Sequence, residues 1–269
     1  MIETVTVAAP DGVRTAARVA GTIGPALIFV HGVGSTAAIW DAQLRAFGDR
    51  YRCAAIELRG NGVPKPEPDP SAITRAGFAQ DVLAVADALG YERFTLVGCS
   101  LGGVVAFELW SGAARARIEA MVIVGSFAAY PNARSYADGV KAAVREAGSM
   151  AAFAQARAAK LGLPPERTRE TVDQMSVKSV ESYLASTEAT WTGDYTGLLH
   201  EIDVPVLVAC GERDAIAPPA LSEAIASGIP NARLAIVPNA GHVANADNPA
   251  VFNELVESFL RDTLLERSP

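Results

Sequence analysis

Apolar and polar positions alternate along the first residues, Met1-Ile2-Glu3-Thr4-Val5-Thr6-Val7, as in a strand with one buried face. Pro10-Asp11-Gly12 then supplies turn chemistry before a second alternating run, so the first twenty residues predict a β-hairpin. From Ala26 onward the pattern changes to short, continuously apolar runs over residues 26–30, 53–58, 94–98, 121–124, 204–209 and 234–237. Strands covered on both faces look like this. Helix-spaced stretches separate them: Ile39, Trp40, Leu44 and Phe47 share one helical face, as do Phe78, Val82, Val85 and Leu89. Val251, Leu255, Phe259 and Leu260 repeat the spacing behind a helix-start signal at Asn248-Pro249. Strands alternating with helices predict an α/β fold with a mostly parallel, doubly wound sheet, whose chemistry sits in loops at the carboxyl ends of strands.

Residues 128–196 break that rhythm, because they contain no buried-strand run and are rich in Ala. They predict a helical cap or lid, with Gly162-Leu163-Pro164-Pro165 separating its earlier helices from its later ones. The chain then divides into a first part of the core, 1–127, the cap, 128–196, and a second part of the core, 197–269. A cap of this kind roofs an apolar pocket. Trp40, Phe127, Tyr130 and Trp191, with Tyr136, Met150 and Phe153, are the candidate lining. The Pro-rich segment from Val63 to Pro70 is expected to be extended and solvated.

Charge and composition narrow the partners. Lys and Arg number 23 against 30 Asp and Glu, a formal net charge of −7, and the basic residues are scattered among acids. Neither nucleic acid nor an anionic membrane surface suits such a chain. No apolar run approaches the roughly 18 residues of a membrane-spanning helix, and the N-terminus lacks the basic and apolar regions of a signal peptide. The expected location is the cytoplasm. Cys53, Cys99 and Cys210 each fall in or at the end of an apolar run and read as buried free thiols, and no Cys/His spacing suggests zinc.

The residues that carry chemistry lie at predicted strand ends. Gly98-Cys99-Ser100-Leu101-Gly102 is a G-x-S-x-G string between an apolar strand and an apolar-spaced helix, the context in which a strained turn exposes a serine hydroxyl. A serine needs a general base. Of the three histidines, His242 follows the last apolar strand, His31 opens a Gly-rich turn it is better suited to structure, and His200 lies in a helical approach. An acid must hold the imidazole in one tautomer, and Asp214 follows the strand over 204–209. Its competitors are Asp203, which precedes that strand, and Glu212, which sits in the turn. Two oxyanion donors are available in the backbone N–H groups of Leu101, just after the serine, and Val33, in His31-Gly32-Val33-Gly34-Ser35.

With these motifs the chain resembles the α/β-hydrolase superfamily: HGVGS, the GCSLGG elbow, VPVLVACGERDAIAPP and NAGHVANADNPAVFNELVESFL together span nearly all of it. It looks most like the cluster of 3-oxoadipate enol-lactonases, small carboxylesterases and cofactor-free haloperoxidase-type perhydrolases. The resemblance implies a Ser100, Asp214, His242 triad in the family's chain order, an oxyanion hole from Val33 and Leu101, a cap, and neither metal nor cofactor. One loop departs: relatives read R-G-H-G-x-S where this chain has Arg59-Gly60-Asn61-Gly62-Val63-Pro64. A nucleophilic Ser100 argues against epoxide hydrolases and haloalkane dehalogenases, which attack with a carboxylate. The expected activity is hydrolysis of a carboxylic ester or lactone of a small, largely apolar substrate. C–C bond hydrolysis of a β-diketone or perhydrolysis would use the same triad, and a non-catalytic ligand receptor would retain it. The expected partner is a small-molecule substrate; a homo-oligomer is allowed, and no Arg or Lys is assigned to a substrate carboxylate.

Overall fold

Leu27 and Phe29 turn to one face of a sheet and Ile28 and Val30 to the other, and all four are fully buried. That two-sided burial is why the run is continuously apolar, and each such side chain stabilises the fold by about 1.5–3 kcal/mol. The computed structural model describes residues 1–61, 64–161 and 163–265. Its eight strands are β1 (Glu3–Ala8), β2 (Arg14–Ala20), β3 (Ala26–Val30), β4 (Arg52–Glu57), β5 (Phe94–Cys99), β6 (Ile118–Val124), β7 (Val206–Gly211) and β8 (Ala232–Val237). They form one sheet in the order β1-β2-β4-β3-β5-β6-β7-β8. β2 pairs antiparallel with β1 and β4, and every other pairing is parallel. The N-terminal hairpin is present, closed by Gly12 N–H donating to the Ala9 carbonyl at 2.8 Å.

Helices cover both faces. On one side α2 (Arg75–Ala88) and α3 (Leu101–Ser111) pack Phe78, Val82, Val105 and Phe107 against Ile28 and Leu96. On the other, α1 (Asp41–Phe47) and α10 (Pro249–Leu265) pack Leu44, Phe47, Phe252 and Phe259 against Leu27 and Phe29. The strand order reverses direction between β3 and β5, so the connections leaving their carboxyl ends pass to opposite faces and open a crevice there. The loop after β3 and the turn after β5 both border it.

Between β6 and β7 lie α4 (Ala133–Ala147), α5 (Met150–Lys160), α6 (Pro165–Ser176) and α7 (Val180–Trp191). Among the described residues of this stretch the sole strand-like contact is a bridge between Ala129 and Asp194. The remaining helices are α8 (Pro219–Gly228), after β7, and α9 (Ala244–Asp247), just before α10. Gly62 and Val63 of the departing loop, and Gly162 of the expected separator, lie outside the described residues. The Pro-rich segment is not simply solvated. Glu67 accepts hydrogen bonds from Ser179 and from Ser182 Oγ, and Lys65 Nζ donates to the Val177 carbonyl at 3.0 Å, so it docks on the turn between α6 and α7. Burial pushes the Glu67 carboxyl up, but bonds from Lys65, Ser179 and Ser182 outweigh it and hold the group at about 2. Arg59, by contrast, turns inward to a fully buried Asp81, donating from N and Nε at 2.8 and 3.0 Å. No helix among the described residues is long and apolar enough to cross a membrane.

Candidate active site

Ser100 occupies the junction between β5 and α3 with φ 54 and ψ −112, a conformation that L residues rarely adopt and that costs roughly 1–3 kcal/mol. The surroundings enforce it. Ser100 N–H donates to the Val124 carbonyl at 2.8 Å, and the Ser100 carbonyl accepts from Ser126 Oγ at 2.7 Å and Gly103 N–H at 2.9 Å. The turn is so tight that a Cβ on Gly98 would lie 2.2 Å from the Gly102 carbonyl oxygen, and one on Gly102 would lie 2.2 Å from the Val30 carbonyl oxygen. Small residues at these positions are therefore a steric necessity. The serine hydroxyl itself makes no hydrogen bond among the described residues and borders a cavity.

Two further strand ends meet it. Asp214 follows β7, fully buried at its side chain, with Oδ1 accepting from Ile216 N–H at 2.8 Å and Ala217 N–H at 2.9 Å. His242 follows β8 and donates from Nδ1 to Asp214 Oδ2 at 2.9 Å. A carboxylate held by backbone donors accepts but does not donate, so in the neutral ring the proton sits on Nδ1 and the lone pair on Nε2. His242 and Ser100 line the same cavity. Of the competing acids, Asp203 is exposed ahead of β7, and Glu212 accepts from Asn239 N–H at 3.1 Å on the surface. His200 lies in a short helical turn over Thr196–Glu201.

The loop after β3 approaches the serine closely, since a Cβ on Gly32 would lie 3.1 Å from Ser100 Cβ. His31 pins this loop: Nε2 accepts from Leu58 N–H at 3.2 Å, so Nδ1 carries the proton and donates to the Gly32 carbonyl at 2.8 Å. Ser35 N–H closes the turn on the Gly32 carbonyl at 3.1 Å, with Gly34 at φ +80. Neither Val33 N–H nor Leu101 N–H has a hydrogen-bond acceptor among the described residues.

The cavity measures about 150 Å³. Its roof comes from α5 and α6 rather than from the aromatic residues expected there. Trp40 packs with Phe29 and Phe252, ring centroids 5.2 and 6.2 Å away, on the α1/α10 side of the sheet. Phe127 stacks on Trp191 at 5.0 Å, and Tyr130 lies 4.9 Å from Phe127 and donates its hydroxyl to the Ile216 carbonyl at 2.9 Å. Tyr136 joins that cluster, Met150 and Phe153 of α5 pack with Tyr183, and Tyr136 and Phe153 also line a second cavity that meets the first at Arg157, Leu161 and Ile216. These large rings bury one another and fasten the helices to the core, and Trp40, Phe127, Tyr130 and Trp191 do not line the cavity.

Helix α6 contributes Arg167, Glu170, Thr171 and Gln174, and α5 contributes Arg157, with Leu161 just past its end. The first four recur at i, i+3, i+4 and i+7, one helical face. That polar stripe was the available signal for the pocket wall. Arg167 pairs with Glu170, and its Nε lies 3.3 Å from Asp247 Oδ1. Arg157 forms no ion pair among the described residues. Cys99 abuts the cavity but is 1% exposed, and burial pushes its thiol well up. Among the described residues no three His, Cys, Asp or Glu side chains converge as a metal cluster.

A family model described as alpha/beta hydrolase fold matches residues 25–249. The 3-oxoadipate enol-lactonase 2 of Acinetobacter baylyi is 28% identical over 88% of this chain and 89% of its own length. The carboxylesterase YbfK of Bacillus subtilis is 30% identical over 88% of this chain and 80% of its own. Among solved structures, a hydrolase from Pseudomonas aeruginosa PA01 superposes with a TM-score of 0.86 at 31% identity, covering 96% of this chain and 98% of that one.

Proposed function

Because the chain belongs to the α/β-hydrolase family, we propose that it hydrolyses a carboxylic ester or lactone through an acyl-enzyme on Ser100. The observation that carries this reading is the 2.9 Å bond from His242 Nδ1 to a buried Asp214, which leaves the Nε2 lone pair on the cavity that Ser100 borders. His242 takes the hydroxyl proton as Ser100 Oγ attacks the substrate carbonyl. The Ser100 to His242 contact forms in the substrate complex, as such contacts commonly do. Val33 and Leu101 N–H groups receive the oxyanion, His242 protonates the leaving alkoxide, and water activated by the same ring releases the acid. The relatives named as an enol-lactonase and a carboxylesterase support the choice of bond.

Arg157 refines the substrate. A guanidinium on the cavity wall without an acidic partner suits a substrate with an anionic group, such as a carboxylate, several bonds from the ester. The helices from α4 to α7 act as the cap that selects it.

The test compares wild type with Ser100→Ala and Arg157→Gln on the monomethyl and dimethyl esters of one dicarboxylic acid and on a small lactone. Ser100→Ala abolishes turnover of every substrate. Losing a hydrogen bond to a charged group costs about 1.5–3 kcal/mol, so Arg157→Gln lowers kcat/KM for the monoester roughly 10- to 100-fold and for the neutral diester far less. Turnover surviving in Ser100→Ala refutes the mechanism, and equal losses on both esters refute the anionic substrate.

A further inference from the structure

Lys178 lies in the turn between α6 and α7, is 5% exposed, and forms no ion pair among the described residues. Its ammonium instead donates to the Ser35 carbonyl at 2.9 Å and to the Asn61 carbonyl. These two acceptors belong to different core loops: Ser35 ends the turn that carries Val33, and Asn61 stands in the loop after β4 that departs from its relatives. Burying an ammonium is costly, and ordinary packing at this site would be served by an apolar side chain. A lysine here gives the Ser35 and Asn61 carbonyls a shared donor.

The turn from Gly32 to Ser35 is thereby held at both ends. His31 fixes the Gly32 carbonyl at 2.8 Å, and Lys178 fixes the Ser35 carbonyl. A third tie, Ser35 Oγ to Gln174 Oε1 at 2.7 Å, also comes from the helical insertion. Between these anchors lies Val33, whose N–H has no acceptor among the described residues. An oxyanion donor acts only if it already points at the developing charge, and a displacement of about 1 Å in such a group can cost on the order of 100-fold in rate.

We propose that Lys178 is a positioning residue for the oxyanion: by tying the Ser35 and Asn61 carbonyls together it holds Val33 N–H on target, so the cap completes the catalytic geometry of the core. The proposal rests on the Ser100 hydrolase reading. It predicts a specific pH dependence, because the charged ammonium ties the two carbonyls more strongly than the neutral amine, which keeps two N–H donors but loses the charge. The charged groups facing Lys178 are Glu57 from β4 and Glu67 and Lys65 from the following loop, with His31 Nε2 3.5 Å from Glu57 Oε1. Burial lowers the Lys178 ammonium most, the two carboxylates oppose this, Lys65 adds to the lowering, and the group is left at about 8. The protonated form holds the turn more firmly, so kcat falls in part as pH rises through about 8.

The experiment measures kcat and KM on one ester from about pH 6 to about pH 10 for wild type, Lys178→Met and Lys178→Arg. It adds the affinity of each for an arylboronic acid, whose tetrahedral adduct with Ser100 places an oxygen in the oxyanion position. For Lys178→Met the expected result is a kcat loss on the order of 10- to 100-fold, KM within about twofold, and boronic acid binding weakened by a similar factor. The alkaline limb near about pH 8 disappears in that variant. Lys178→Arg recovers part of kcat and moves the limb upward, since a guanidinium stays charged. A tie that serves stability alone would lower the melting temperature and leave kcat, boronic acid affinity and the limb unchanged, which overturns the proposal. Should Lys178→Met not fold, Lys178→Gln with the kcat, boronic acid affinity and pH profile of the wild type overturns it equally. Turnover persisting in Ser100→Ala strikes the hydrolase reading itself, and is thus distinguishable from a failure of the tie.

Discussion

Gly102→Ala sets two known effects of opposite sign against each other. Gly102 lies inside the first turn of α3 without a positive φ, so helix propensity alone would favour alanine by about 1 kcal/mol. The added Cβ, however, would stand 2.2 Å from the Val30 carbonyl oxygen, 2.9 Å from the Val30 carbonyl carbon and 3.2 Å from Val30 Cβ. Ordinary contact begins at about 3.4 Å, so α3 must retreat from β3 by roughly 1 Å, and overpacking of that kind costs about 1–3 kcal/mol. The net effect on stability is therefore a loss of about 0–2 kcal/mol. Catalysis suffers more. β3 leads directly into the loop of Val33, and α3 begins at Leu101, so the retreat separates the two proposed oxyanion donors. A shift of about 1 Å predicts a kcat loss on the order of 100-fold. Steady-state kinetics beside urea denaturation separates the two effects. A variant that unfolds with the wild-type midpoint and turns over at the wild-type rate would refute the claim that α3 and β3 must approach this closely.

Two further predictions concern residues away from the chemistry. Asp81→Ala leaves the Arg59 guanidinium paired with Asp11 alone, and losing hydrogen bonds between charged groups costs about 1.5–3 kcal/mol, read as a lower urea midpoint at unchanged slope; a loss under about 0.5 kcal/mol would contradict the reading of that pair. Cys99 is 1% exposed with its thiol pushed well up by burial, so iodoacetamide at neutral pH leaves the native enzyme unmodified and fully active. Alkylation at Cys99 with parallel loss of activity would show that the elbow opens more than the packing allows.

The two-faced burial of Leu27 to Val30 and its counterparts made the parallel sheet legible, because only a strand covered on both sides tolerates a continuous apolar run. That Ser100, Asp214 and His242 would come together was legible for a related reason: each follows such a run, and the carboxyl ends of parallel strands lie along one edge of the sheet. The pocket was not. Reading aromatic residues as lining assumed that the insertion turns its rings to the substrate, whereas Phe127, Tyr130 and Trp191 pack on one another, and Tyr136 and Phe153 line a second cavity that meets the first at Arg157, Leu161 and Ile216. The cavity wall is instead made by Leu161, Leu163, Met175, Ile216 and Val243 together with the polar stripe of Arg167, Glu170, Thr171 and Gln174, and that stripe in isolation is indistinguishable from a solvent-facing side of a helix. Which of two polar faces meets the core depends on how helices far apart in sequence dock. Lys178 is the extreme case. A lysine after a helix end reads as surface, and only the closure of two distant loops around its ammonium reveals otherwise.

The central claim, a covalent intermediate on Ser100, is tested most directly by quenching the enzyme in acid during turnover of a p-nitrophenyl ester and measuring its intact mass. A burst of nitrophenol of about one equivalent is expected, with a mass increase equal to the acyl group, located by digestion on the peptide that contains Ser100 and absent from Ser100→Ala. Turnover without any acyl adduct, or an adduct on another residue with Ser100→Ala still active, would contradict it.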